Sequence, residues 1–391
     1  MNRRFAIAAA AAVTCAAGFV AGPAGLAGAA TTTPTVKTVS HTVVVSGLNN
    51  PRQLSWGPHG SLLVAEAGRG SLNPSSKNCF IGPEGENCAG ATGSVSLVPF
   101  PKWQHNSKPW RVVSGLLSAA APDGGSATGP DGVSYGSGRL LIQETALPPI
   151  AGLPNWQSGQ LLTTRSGGKL RSVADVSAVE RTQNPDGLQV DTDPYAVLSL
   201  GGHRSVSTDA AGNDLVLVDR QGAHAATVFP LHGCGGVRTE QCDQEPVPTS
   251  LAFGPHGALY VGELAHFEPN EARVWKVSTK TGALQGYYGK GGSICPKDTA
   301  GFTTITGIAF DRWGNLYVSE FVGGNDGSGQ VVRISRDCTR TTVPVPAPAG
   351  LAVDHNGTVY VSAYSVSDSD GAAPAPGAPK LPAGQVWRLK F

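Results

Sequence analysis

The stretch Leu251-Ala252-Phe253-Gly254-Pro255-His256-Gly257-Ala258-Leu259-Tyr260-Val261-Gly262-Glu263 reads as an apolar strand, a glycine turn, a second apolar strand and an acid. The same phrase runs from Gln53 to Glu66 and from Ile308 to Glu320. Weaker copies complete a series of turn glycines at Gly60, Gly138, Gly202, Gly257, Gly314 and Gly357, separated by 78, 64, 55, 57 and 43 residues. The shorter spacings match one four-stranded propeller blade. A third strand is expected in every unit, at 94–98, 160–164, 214–218, 273–277, 330–334 and 385–389. A fourth is expected in five units, for example at 110–113, 226–230 and 341–345. Short alternating strands joined by close turns define an all-β chain, and radial repetition is one way such a chain protects its sheet edges.

The sixth unit runs out after its third strand. The only spare strand is 41–45, ahead of the first unit. The expectation is therefore a six-bladed β-propeller closed by an N-terminal strand that completes the last blade. The long first gap carries two loop insertions, 71–93 and 118–128, and the second gap carries a short polar helix near 175–182.

Outside the repeats, residues 1–29 read as a secretory signal peptide. Arg3 and Arg4 precede an apolar run, and Ala27-Gly28-Ala29 offers small residues for cleavage. That run is too short for a convincing membrane span. Residues 30–40 are Thr-rich and read as a flexible lead, which leaves 41–391 for the propeller. The full chain has a formal charge of +1, and loss of Arg3 and Arg4 makes it -1. Nucleic acid and anionic membranes both select a basic surplus, so neither is an expected partner. The expected state is a secreted monomer that meets a protein, glycan or small ligand.

Six cysteines follow the leader: Cys79, Cys88, Cys234, Cys242, Cys295 and Cys338. An even number in an exported chain points to disulfides, although six cysteines allow fifteen pairings. Cys79 with Cys88 and Cys234 with Cys242 are the local pairs, leaving Cys295 with Cys338.

The second strand of five units ends in an acid: Glu66, Glu144, Asp209, Glu263 and Glu320. In a propeller this places five carboxylates around one mouth of the central channel. Arg52 stands near the start of the first inner strand and is an expected partner for Glu66. Tyr195 stands at the start of the third and is a candidate for ligand contact. A carboxylate here either caps backbone N–H groups and pairs with arginine, or binds a hard cation such as Ca²⁺. Glu66, Asp209, Glu263 and Glu320 are the metal candidates. His59 and His256 occupy matching Gly-Pro-His-Gly turns on the opposite face and read as surface turn residues. His203 and His232 have no evident partner in the sequence. Trp56 and Phe253 lie on inner strands and read as packing between blades.

The opening Val44-Val45-Ser46-Gly47-Leu48-Asn49-Asn50-Pro51-Arg52, the central Asn184-Pro185-Asp186-Gly187, Asp193-Pro194-Tyr195 and Asp209-Ala210-Ala211-Gly212-Asn213-Asp214-Leu215, and the late Leu316-Tyr317-Val318-Ser319-Glu320-Phe321 carry a resemblance. Across nearly all of 40–391 the chain resembles the ScyD/ScyE family of exported bacterial proteins, which are similar to NHL-type and SMP-30-type propellers. The resemblance implies six blades and export but no assigned reaction. SMP-30-type enzymes are lactonases built around one divalent cation with Glu, Asn, Asn and Asp ligands. Two readings follow. One is a binding or scaffold propeller with its ligand at the channel mouth. The other is a lactonase-like hydrolase in which a cation on the acid ring activates water.

Overall fold

A computed structural model describes residues 40–75, 77–82, 85–164, 168–232, 244–324, 328–367 and 382–391. Six antiparallel sheets form the blades of a β-propeller. The first contains Pro51–Trp56, Leu62–Glu66, Gly85–Val98 and Trp110–Ala120, with the added strand Cys79–Gly82. The second contains Pro130–Gly136, Arg139–Glu144, Gln160–Thr164 and Leu170–Asp175. The third runs through Pro194–Gly201, Arg204–Asp209, Asp214–Asp219 and Gly222–Val228. The fourth runs through Pro248–Phe253, Leu259–Glu263, Val274–Val277 and Leu284–Tyr288. The fifth holds Ile305–Phe310, Leu316–Glu320, Gln330–Ile334 and Arg340–Pro344.

The sixth blade holds Leu351–Val353, Val359–Ala363 and Gly384–Leu389, and His41–Leu48 is its outer strand. The closing strand pairs His41 with Leu389, Val43 with Trp387 and Val45 with Val386. This is the pairing that the spare strand at 41–45 requires. Each inner strand also lies beside the inner strand of the next blade, and the sixth lies beside the first.

Alternation along the strands supplies the layers between blades. Val44, Val45, Leu48, Leu54, Leu62, Val64, Tyr360 and Val386 form one buried cluster across the join between blades six and one. Burying a side chain of this size contributes roughly 1.5–3 kcal/mol. The seam is therefore held by apolar packing as well as by the strand ladder.

Three expectations need correction. The insertion 71–93 is largely β-structure, because Cys79–Gly82 pairs with the extended strand Gly85–Val98 and the Cys79–Cys88 disulfide joins the two. The start of the second insertion, residues 118–120, is the end of the outer strand Trp110–Ala120 beside that extension, and a single bridge joins Ala119 to Thr128. Phe253 is 42% exposed, and Leu251 supplies the buried contact on that strand. The expected helix is present as Ser177–Gln183. The Cys295–Cys338 disulfide is also formed, whereas the expected Cys234–Cys242 pair lies outside the described residues. Two disulfides accord with an oxidising compartment. Among the described residues no helix is long and apolar enough to cross a membrane.

Candidate functional site

The five acids occupy one structural position. Glu66, Glu144, Asp209, Glu263 and Glu320 each lie opposite the first residue of their inner strand, which is Pro51, Pro130, Pro194, Pro248 and Ile305 respectively. All five are buried. The residue after each acid donates its backbone N–H to the segment leading into the inner strand: Ala67 to Asn50, Thr145 to Gly129, Ala210 to Asp193, Leu264 to Val247 and Phe321 to Thr304. Three of those acceptor residues have left-handed backbone: Asn50 at φ 50°, Val247 at φ 52° and Thr304 at φ 52°. That conformation is costly for a β-branched residue and persists only where its surroundings hold it.

Four of the carboxylates spend their oxygens on nearby groups. Glu66 accepts from Asn49 N (2.7 Å), Ser96 Oγ (2.6 Å) and Arg111 Nη2 (2.7 Å). Asp209 accepts from Thr192 Oγ1 (2.5 Å), Asp193 N (2.7 Å) and Gly212 N (3.1 Å). Glu263 accepts from Trp275 Nε1 (2.8 Å), and His232 Nε2 lies 2.9 Å from its other oxygen. Glu320 accepts from Thr303 N (2.5 Å) and Gln330 Nε2 (2.7 Å). Burial raises the carboxyls of Asp209, Glu263 and Glu320, and these partners act in the opposite direction. His232 thus has a partner after all. Ser96 and Arg111 face each other across neighbouring strands, so their cross-strand register was the signal for the Glu66 pair.

Glu144 is the exception. It is fully buried, and neither carboxylate oxygen has a hydrogen-bond partner. Burial first, and the charge of Asp131 second, push it well above the ordinary carboxyl value.

Arg52 does not pair with Glu66. Its Nε donates to Asp131 Oδ1 at 3.0 Å on the neighbouring blade. Its other nitrogens donate to the carbonyls of Ser365, at 2.7 Å, and Ala127. The guanidinium therefore links blades one, two and six through groups that the inner-strand sequence alone does not pair. Thr145 Oγ1 donates to Asp193 beside this group. Burial raises the hydroxyl pKa of Tyr195, whose charged neighbours are Arg52, Asp131 and Asp193. Loop 121–128 packs against the same end: Asn50 Nδ2 donates to Gly124 O, and Ser126 N to Val366 O.

The acids ring the mouth without converging. Among the described residues, the one set of three His, Cys, Asp or Glu ligand atoms within 4.8 Å is Cys79, Glu86 and Cys88, and its two cysteines form a disulfide. Of the loop residues on the mouth face, Trp156 is 51% exposed and Ile81, on the stapled extension, is 81% exposed. Gln157, beside Trp156, accepts from Leu117 N on the outer strand of the first blade at 2.8 Å. The opposite face carries cavities of about 510 and 470 Å³, one lined by Trp56, Trp103 and Tyr360, the other by Phe253, Phe310 and Trp313. His59 and His256 lie on that face, in short turns with positive φ.

The fold and this rim define a six-bladed propeller with a closely hydrogen-bonded mouth. No protein-family profile matches the chain. No characterised protein sequence matches it either. Among solved structures it is similar to a gluconolactonase from Xanthomonas campestris, with 12% identity and a TM-score of 0.51 over 90% of this chain and 89% of that one. It is also similar to the calcium-binding protein regucalcin from Agrobacterium tumefaciens, with 13% identity and a TM-score of 0.47 over 90% and 94%. A streptogramin B lyase shows 14% identity and a TM-score of 0.45 over 90% and 97%. The gluconolactonase likeness concerns the fold alone.

Proposed function

We propose that this chain is an exported propeller that binds a partner and does not transform it. The observation that carries the reading is the use of the rim carboxylates inside the protein: Glu66, Asp209, Glu263 and Glu320 hold backbone N–H, indole, amide, imidazole and guanidinium groups at the turns into the inner strands. Groups so engaged have little freedom left for a substrate or a mouth cation. The partner, a protein, glycan or small ligand, meets the mouth face, where Ile81 and Trp156 stand out from the surface. Export rests on the leader at 1–29 and the two disulfides. The phrases quoted above support a ScyD/ScyE-type relationship, a group without one assigned reaction.

A lactonase-like hydrolase dependent on a divalent cation is the second reading, and Glu144 favours it. A buried carboxyl with both oxygens unengaged and a raised pKa is a recurring mark of functional sites. The propeller shared with a gluconolactonase is common ground for both readings, because fold does not specify chemistry. The residues do not fit a Ca²⁺ centre at the mouth. Glu66, Asp209, Glu263 and Glu320 come from four blades, and no three of them bring ligand atoms within 4.8 Å. No catalytic step through a metal follows from this arrangement.

The test is a panel of sugar and acyl lactones offered to the purified chain with and without CaCl₂. The binding reading expects no turnover above buffer. Turnover that Glu144→Gln abolishes would establish the hydrolase instead.

A further inference from the structure

The turns between the first two strands of blades five and six begin alike and finish differently. In blade five Asp311 Oδ1 accepts from the N–H groups of Trp313 and Asn315, both at 2.9 Å. Its Oδ2 accepts from Asn315 Nδ2 at 2.6 Å and from the Tyr317 hydroxyl at 3.2 Å, so the turn is closed on itself. In blade six Asp354 Oδ1 takes the same two backbone groups, from Asn356 at 2.8 Å and Thr358 at 2.9 Å. Thr358 stands where blade five has Asn315, and among the described residues nothing donates to Asp354 Oδ2. Tyr360, the counterpart of Tyr317, is fully buried, and its hydroxyl has no hydrogen-bond partner. Unmet polar atoms of this kind are uncommon in folded proteins.

Asp354 and Tyr360 line one cavity, the cleft of about 510 Å³ at the join of blades six and one. Its size suits a small ligand, for which roughly 300–1,000 Å³ is usual. Trp56 donates its indole N–H to Val353 O at 2.9 Å and meets the Tyr360 ring edge-on at 5.6 Å. Another part of the lining is the loop that carries Phe100 and Trp103, which are 64% and 73% exposed. Arg388 donates to Lys102 O and ties this loop to the third strand of blade six. Phe100 precedes a proline at φ 46°, a costly backbone for an aromatic residue, and Trp103 N donates to Phe100 O at 2.9 Å. The cleft thus combines fixed aromatic surfaces with an acceptor and a donor that the protein leaves unused.

We propose that this cleft binds a neutral hexopyranose unit of a glycan, its C–H face stacked on Trp103 and its hydroxyls bonded to Asp354 Oδ2 and, at the floor, to Tyr360. The lining selects this class. Aromatic rings present apolar faces to C–H groups, and a carboxylate oxygen and a phenol are partners for hydroxyls. The charge of Asp354 disfavours an anion. Lys102 Nζ already lies over the Trp103 ring at 5.4 Å, so a cationic ligand would meet like charge. A wholly apolar ligand would leave both polar groups unmet. Burial, and then the charge of Asp354, push the Tyr360 hydroxyl up to about 12, so it keeps its proton and can donate. The cleft lies on the face opposite the mouth and stands or falls without the reading of the rim.

The experiment is calorimetric titration of the full exported chain with the tetrasaccharides of glucose, galactose, mannose and N-acetylglucosamine, and with tetramethylammonium chloride and sodium phosphate as charged probes. Tryptophan fluorescence and thermal unfolding are read alongside. The expected result is saturable binding of at least one tetrasaccharide, one per chain, with a change in tryptophan emission and no binding of either charged probe. Trp103→Ala removes an exposed ring, leaves the fold intact and should weaken that binding by roughly tenfold or more. Thr358→Asn rebuilds the closed turn of blade five without touching the lining. It should weaken binding by about threefold to tenfold while the unfolding temperature holds or rises. Absence of binding by all four tetrasaccharides would overturn the proposal, as would binding that Trp103→Ala leaves intact. Saturable binding of either charged probe in place of a sugar would overturn it too, and so would sugar binding that Trp156→Ala on the mouth face removes.

Discussion

The rim on blades one, four and five differs from the rim on blades two and three. On the first side every acid has its own donors: Arg111 and Ser96 for Glu66, Trp275 and His232 for Glu263, Thr303 and Gln330 for Glu320. On the second side Asp209 keeps donors of its own, but Asp131, Glu144, Asp193, Asp209 and Glu180 crowd together, neither oxygen of Glu144 or Glu180 has a hydrogen-bond partner, and Arg52 pairs with Asp131. The same repeat position thus serves two ends. Where donors converge, the acid is part of the turn into the inner strand. Where they do not, burial and like charge favour the protonated form of the carboxyl.

The largest expected effect comes from removing the guanidinium that pairs with Asp131 on the crowded side. Arg52→Met leaves Asp131 buried without its ion pair and strands the carbonyls of Ala127 and Ser365. It should cost about 3–5 kcal/mol in urea unfolding. A loss comparable to that of an exposed pair would mean that the crowded side is wetter than described. Next is the Cys295–Cys338 bridge, which joins the loop after the fourth blade to a turn of the fifth over 43 residues. Replacing both cysteines with serine should cost about 2–4 kcal/mol by the same measurement.

The two sides should also separate in a matched pair of substitutions. Glu66→Gln weakens the contact to Arg111 and forces one amide hydrogen pair toward existing donors, so a loss of about 1–3 kcal/mol is expected. Glu144→Gln replaces a buried acid that has no hydrogen-bond partner with an uncharged amide of similar shape and should leave the chain at least as stable as the unaltered one at neutral pH. Equal losses would erase the distinction.

The smallest effect is the pH dependence carried by Glu144. Its ordinary value is 4.5, and its folded value is raised by burial and Asp131, itself paired with Arg52. Such an acid binds its proton more tightly in the folded chain. Its contribution is therefore full below 4.5 and is lost as the pH rises through the folded value. Between those limits Glu144→Gln should flatten the fall in stability seen for the unaltered chain. An unchanged slope would show that other acids of the cluster dominate.

The blades, the closing strand and the five rim acids were legible because each follows from a local period or a repeated phrase. The strand at 41–45 was the one left over by the repeat count, and Glu66 and Glu263 end the same motif. What was not legible depends on contacts between distant segments. Arg52 is near Glu66 in the chain, yet the twist from one blade to the next brings it to Asp131. His232 reaches Glu263 from a separate loop. Glu180 lies in the helix that reads as short and polar, yet it is buried, with Val176 and Val179 packed against the second and third blades. The insertion at 71–93 was misread for another reason: Cys79–Gly82 and Gly85–Val98 form a local hairpin, but its glycine-rich, polar sequence lacks the apolar alternation that marks the blades.

The claim on which the functional reading rests is that the protein's own donors occupy the rim carboxylates. A high-resolution crystal structure of the exported chain grown with CaCl₂ tests it most directly. It should show Glu66 against Asn49 N and Arg111, Arg52 against Asp131, and no ion on the channel axis. A cation at the mouth bridging rim acids such as Glu66, Glu144 and Glu263, with their donors displaced, would contradict it.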